Sequence, residues 1–138
     1  MLKGRPVGIT GIGISLPDRI MKNVELEQMV DTNDEWIRSR TGIQERRIAD
    51  PGTSTSDLAA EAARNAMADA GVEPQDIDLI IVATVTPDAY FPATACIVQD
   101  KIGAAKAAAF DLEAGCSGFV YALAVGSQFI KTGVYNTV

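Results

Sequence analysis

The segment Asp78–Val85 reads DLIIVATV, apolar almost throughout, and no other run constrains the fold as strongly. A strand with one wet face alternates apolar and polar residues. An unbroken apolar run is expected of a strand covered on both faces, as in a parallel sheet. Helical patterns flank it. Upstream, Leu58, Ala62, Ala63, Ala66, Met67 and Ala70 recur at helical spacing, with Glu61, Arg64 and Asp69 off that face. Cap candidates at Thr53–Ser56 precede this pattern and Gly71 stops it. Downstream, Pro92–Ile102 reads as a helix ending at Gly103, Ala107–Leu112 as a second apolar strand, and Ser117–Lys131 as a further helix. Strands alternating with helices predict an α/β fold with a mixed, mostly parallel sheet.

The remaining segments extend that pattern. Val7–Ser15 is rich in Ile and Gly and reads as the first strand. Asn23 is placed to cap a helix over Val24–Val30. Asn33 or Thr32 caps another over Asp34–Arg40, stopped by Gly42, and Ile43–Ala49 reads as a short strand. The last helix is apolar nearly all round, with Phe119, Val120, Tyr121, Leu123, Val125, Phe129 and Ile130, and is expected in the interior. Val134–Val138 reads as a strand just beginning, so the sheet is expected to continue elsewhere. Gly11-Ile-Gly13 invites a dinucleotide-binding reading, but that fingerprint needs a third glycine and an immediate helix. Leu16 and Pro17 stand there instead. The two glycines are better explained by close packing or a turn.

Composition excludes several classes of function. The net charge of −6 gives no broad attraction to nucleic acid. Arg38, Arg40, Arg46 and Arg47 still form a local basic cluster, either a solvated face or a patch for an anionic group. No apolar stretch has the length of a membrane span and no secretory signal is visible, so a cytoplasmic setting without membrane partners is expected. In that reducing setting Cys96 and Cys116 are not expected to form a disulfide. With no histidine among 138 residues, no metal site is expected either.

Cys116 lies at the join between the Ala107–Leu112 strand and the helix that follows. The first N–H groups of a helix lack backbone partners and carry partial positive charge, an environment that favours a thiolate, and the thiolate is the nucleophile. The plainer alternative is a free cysteine that fills space. A cysteine nucleophile ordinarily works with a proton-transferring partner, most often histidine, and this sequence supplies none.

DLEAGCSGFVYAL around Cys116, together with DTNDEWIRSRTGIQERRIA (Asp31–Ala49), resembles β-ketoacyl-acyl carrier protein synthase III, a condensing enzyme of bacterial fatty acid biosynthesis. PGTSTSDLAAEAARNAMADAG, DLIIVATVTPDAYFPATACIVQDKIG and NVELEQMVDT fit the same family, so the likeness runs along essentially the whole chain. The resemblance implies a thiolase-like fold, in which two similar α/β halves pack together. Residues 1–138 would form the N-terminal half, with a buried central helix starting at the nucleophile and the chain ending at the start of a strand. The family's catalytic His and Asn belong to the C-terminal half, so this segment alone is expected to be inactive.

The same resemblance implies an acyltransferase of lipid metabolism. Cys116 would take an acyl group, acetyl for instance, from acyl-CoA, and malonyl-acyl carrier protein would then condense with it. Thr32, Trp36 and Arg40 match positions that meet CoA, and Trp36 would stack on its adenine. Phe91 matches a residue that reaches the neighbouring subunit's acyl pocket in a homodimer. Cys96 matches no catalytic position. CoA enters as a substrate, and no permanently bound cofactor is implied. The sequence leaves open the acyl chain preferred. It also leaves open two alternatives: a related starter enzyme of secondary metabolism, and a non-catalytic module with the same fold.

Overall fold

The computed structural model describes residues 4–138, which form two compact units. The smaller is Leu16–Thr53; the larger joins the residues up to Ser15 with Ser54–Val138.

In the smaller unit, β1 (Ile20–Lys22) pairs antiparallel with β2 (Glu45–Arg47), with Met21 opposite Arg46. Between them come a single turn, α1 (Asn23–Leu26), and α2 (Asp34–Thr41). The Asn33 side chain caps α2 by accepting from the Trp36 N–H at 2.7 Å, and Gly42 ends it at φ +74°. Asn23 was expected to cap a longer helix. Instead it begins α1 and is buried, because its amide is committed elsewhere. Nδ2 donates to Asp34 Oδ1 and to the Ile43 carbonyl, both at 2.8 Å, while Oδ1 accepts from Arg46 Nη2 at 2.7 Å. A buried amide left without partners would cost about 1–3 kcal/mol, so this set of bonds ties α1, α2 and β2 together.

In the larger unit, β3 (Leu79–Ala83) and β4 (Ala108–Leu112) run parallel, in register from Leu79 opposite Ala108 to Ala83 opposite Leu112. The link between them is α4 (Thr94–Ile102). Side chains alternate across β3. Ile80 and Val82 pack on a core of Ala60, Val98, Ile102, Ala104 and Ala107, contributed by α3 (Thr55–Ala70), α4 and the approach to β4. Ile81 faces α5 (Gly118–Thr132), where a Cβ on Gly126 would lie 3.7 Å from its Cδ1. Burying Val98 and Leu79 completely stabilises the unit by about 1.5–3 kcal/mol each. The mixed α/β architecture is therefore present, divided into one antiparallel and one parallel pair.

Three further expectations are corrected. Val7–Ser15 is extended but has no strand partner among the described residues. It lies along α3 instead. The Ile12 N–H donates to Asp69 Oδ2 at 2.9 Å, Ser15 Oγ donates to Glu61 Oε2 at 2.8 Å, and Asn65 Nδ2 donates to the Ile14 carbonyl at 2.9 Å. Val134–Val138 likewise forms no ladder among the described residues. It is held beside the start of β3, with the Asn136 N–H donating to Asp78 Oδ2 at 2.7 Å and the Asp78 N–H to the Thr137 carbonyl at 3.0 Å. The helix expected to be buried, α5, is covered along one flank, at Gly118 and Gly126. Phe119, Val120, Tyr121 and Leu123 are exposed, because β3 and β4 cover only one side of it.

Candidate active site

Cys116 sits in a 3₁₀ turn, Gly115–Ser117, between β4 and α5. Gly115 has φ +52°, a left-handed conformation that glycine adopts without steric penalty, and it turns the chain just before the cysteine. The Ser117 N–H closes the turn on the Ala114 carbonyl at 3.1 Å. The sequence placed α5 from Ser117; the observed helix begins at Gly118, so Cys116 precedes it by a short turn. A Cβ on Gly118 would stand 3.3 Å from that of Ala83, so a small residue here lets the head of α5 come close to the end of β3. The Cys116 side chain is exposed and its thiol free. Cys96 is also free but partly buried on α4, its thiol directed at the Ala109 carbonyl at 3.8 Å.

Thr32, Trp36 and Arg40 come together at α2 in the smaller unit. Thr32 precedes the cap residue, and Trp36 and Arg40 stand one turn apart on the helix. The Arg40 guanidinium carbon is 5.9 Å from the Trp36 ring centroid, within cation–π range. Trp36 is 55% exposed, so much of its ring is available to a ligand. Asp31, Thr32, Asn33 and Trp36 line a shallow, open cleft of about 220 Å³. The other arginines of the basic cluster are engaged within the unit. Arg38 lies 3.5 Å from Asp34, Arg46 bonds Asn23, and Arg47 donates to the Pro17 carbonyl at 3.1 Å.

Phe91 stands at the tip of the loop between β3 and α4, in the larger unit. It is 90% exposed, and its neighbour Tyr90 is fully exposed. Sequence reasoning missed what holds this loop. Asp88 Oδ1 accepts from the Ser56 N–H at 2.9 Å, and Asp88 Oδ2 accepts from the Ser56 hydroxyl. Lys101 Nζ donates to Ser56 Oγ and to Asp57 Oδ1, each at 2.6 Å. Hydrogen bonds from Lys101 and then from the Ser54 N–H and hydroxyl hold the Asp57 carboxyl well below the usual carboxylate range. At Asp88 burial pushes the carboxyl up, but hydrogen bonds from Ser56 and Ser54 and the Lys101 charge outweigh it, so the net displacement is downward. The only sequence signal for this cluster was the run of hydroxyl residues at Thr53–Ser56.

Comparison with known proteins finds chains similar to this one. A family profile described as 3-oxoacyl-[acyl-carrier-protein] synthase III matches residues 110–138, the stretch that contains Cys116. A β-ketoacyl-[acyl-carrier-protein] synthase III from Caldanaerobacter subterraneus subsp. tengcongensis is 61% identical over 131 residues, covering 95% of this chain and 40% of that protein. The crystal structure of a 3-oxoacyl-[acyl-carrier-protein] synthase III from Aquifex aeolicus VF5 superposes with a TM-score of 0.86 at 50% identity, covering 91% of this chain and 40% of that one. The priming β-ketosynthase of the R1128 polyketide pathway superposes with a TM-score of 0.90 at 35% identity, covering 96% of this chain and 40% of that one. The fold is the thiolase type, and the chain spans about 40% of the length of the curated relatives it matches.

Proposed function

Because this chain belongs to the β-ketoacyl-acyl carrier protein synthase III family, as the counterpart of that family's N-terminal part, we propose that it carries the acyl-accepting half of a condensing site. The Cys116 thiolate attacks the thioester carbonyl of an acyl-CoA. The new carbon–sulfur bond forms as CoA leaves as its thiolate, and the acyl group rests on the cysteine. Malonyl-acyl carrier protein then loses carbon dioxide. Its carbanion attacks the cysteine thioester and expels the thiolate, releasing β-ketoacyl-acyl carrier protein. The supporting observation is the exposed, free thiol on a glycine-hinged turn at the head of α5.

Trp36 offers an open aromatic face for the adenine of CoA, Thr32 a hydroxyl beside it, and Arg40 a guanidinium suited to phosphate. Phe91, on its exposed tip, shapes the acyl pocket of a second copy in a homodimer. The proton-handling His and Asn that decarboxylation and attack require belong to the portion of the family outside these 138 residues, so this segment alone does not complete the condensation. The reaction takes place in the cytoplasm, where both cysteines remain reduced.

Likeness to the R1128 priming ketosynthase favours a second reading, a starter enzyme of polyketide synthesis. The higher identity to the Caldanaerobacter β-ketoacyl-[acyl-carrier-protein] synthase III, 61% against 35%, makes fatty acid initiation the preferred one.

The test is the intact mass of the full polypeptide bearing this chain, before and after incubation with acetyl-CoA. One acetyl group should be gained and map to Cys116, and prior alkylation by iodoacetamide should abolish the gain. Acylation elsewhere, or none with any short acyl-CoA, would refute the proposal.

A further inference from the structure

The loop between β3 and α4 is tied down by buried polar groups, yet its tip buries nothing. Ser56 and Thr94 are both fully buried. Asp88 spans them: its carboxylate takes the Ser56 N–H and hydroxyl, and its own N–H donates to Thr94 Oγ1 at 3.0 Å. Thr55 Oγ1 adds a bond to the Thr86 carbonyl at 2.7 Å, and Lys101 Nζ holds Ser56 Oγ from the other side. Asp88 and Thr94 are six positions apart, so their bond closes a short excursion with Tyr90 and Phe91 at its end. Among the described residues nothing covers either ring. Ordering a loop costs conformational entropy, and a loop whose tip makes no packing contacts recovers none of that cost at the tip. The anchor fixes the base of the loop that carries the two aromatic rings relative to α3 and α4.

We propose that Asp88 and Ser56 are positioning residues for Phe91, and that their bond sets which acyl groups the site accepts. The proposal rests on the reading of Phe91 as a wall of the acyl pocket. A tethered ring presents a fixed boundary and rejects acyl chains that would displace it. A loosened ring yields, and longer or branched chains gain relative to acetyl. Neither Asp88 nor Ser56 touches the acyl group in this account; both act through the loop.

The experiment uses Asp88→Asn and Ser56→Ala in the full polypeptide, with Phe91→Ala as the reference for a missing wall. Asn65→Ala is the control, since it removes a comparable bond from α3 to the extended segment. The readouts are the rates of Cys116 loading from acetyl-CoA, butyryl-CoA and isobutyryl-CoA, the affinity for CoA, and hydrogen exchange over residues 84–93. Both anchor variants should shift the butyryl-to-acetyl ratio in the direction of Phe91→Ala, by about threefold or more in relative kcat/KM. They should also raise exchange in the loop and leave CoA affinity unchanged. Asn65→Ala should keep the wild-type ratio even if it lowers stability. Loading at an unchanged ratio in both anchor variants, or unchanged loop exchange, overturns the positioning role. A wild-type protein that loads from none of the three thioesters overturns the acyl-acceptor reading and takes the selectivity role with it.

Discussion

Where the extended segment crosses α3, Gly11 and Gly13 have no side chains. A Cβ on Gly13 would press into the backbone at Ala62, Asn65 and Ala66, and one on Gly11 would meet the Cβ of Ala70 at 2.7 Å. The helix backbone cannot yield as a flexible side chain would. Gly13→Ala should destabilise the larger unit by about 1–3 kcal/mol, the usual cost of overpacking. Gly8→Ala, which meets nothing within 4 Å, should be close to neutral. Urea unfolding midpoints of the two variants in the full polypeptide measure the difference. This role was legible in the sequence, because the missing third glycine had already removed the phosphate-binding alternative. The role of Asn23 was not, since its partners at positions 34, 43 and 46 are set by how α2 and β2 fold back. Cys116 was legible as a residue at the join of a strand and a helix, whereas the turn that separates it from α5 follows from Gly115.

Helix ends were easier to read than helix beginnings. Gly42, Gly71 and Gly103 stop α2, α3 and α4 in the left-handed conformation that glycine favours. At the start of α4, Ala93 has no polar side-chain atom to offer; the Asp111 carboxylate on β4 accepts from the N–H groups of Thr94 and Ala95, both at 2.7 Å. No local pattern announces such a cap. Val7–Ser15 forms no strand for a related reason: an extended apolar run becomes a strand only when a partner supplies the ladder, and among the described residues none does. At the start of α3, Ser54 and Asp57 form a reciprocal cap, and Lys101 bonds Asp57. The Asp57 carboxyl is depressed in the folded chain, so its contribution is fully present above its unfolded pKa and is lost as pH falls through the folded one. Asp57→Asn should therefore unfold at lower urea than wild type at pH 7, and the gap should narrow as pH drops below about 4. A gap that stays constant with pH would count against the ionised carboxylate as its source.

The larger unit leaves apolar surface uncovered on α5 and at Ile9, Ile12 and Ile14. Patches of this kind are uncommon on chains that stay monomeric alone. The 138 residues expressed by themselves should bind a hydrophobic dye and self-associate as concentration rises. A polypeptide as long as the curated relatives should bind little dye and elute as one species whose size does not grow with concentration, as dye fluorescence and size-exclusion profiles would record. The sequence conveyed the fold class because helix and strand periodicities are local. It did not convey which faces stay bare, because that depends on what packs against them. The polar ties of this unit also join residues far apart in the chain. Ser56 waits for a partner 32 positions later, Ile12 for one 57 positions later, and Asp78 for Asn136, 58 positions on. On a ribosome, the first turn of α4 gains its cap only after Asp111, 17 positions beyond Thr94, has emerged. A unit held by ties of such long sequence separation folds more slowly than a chain stitched together by neighbours.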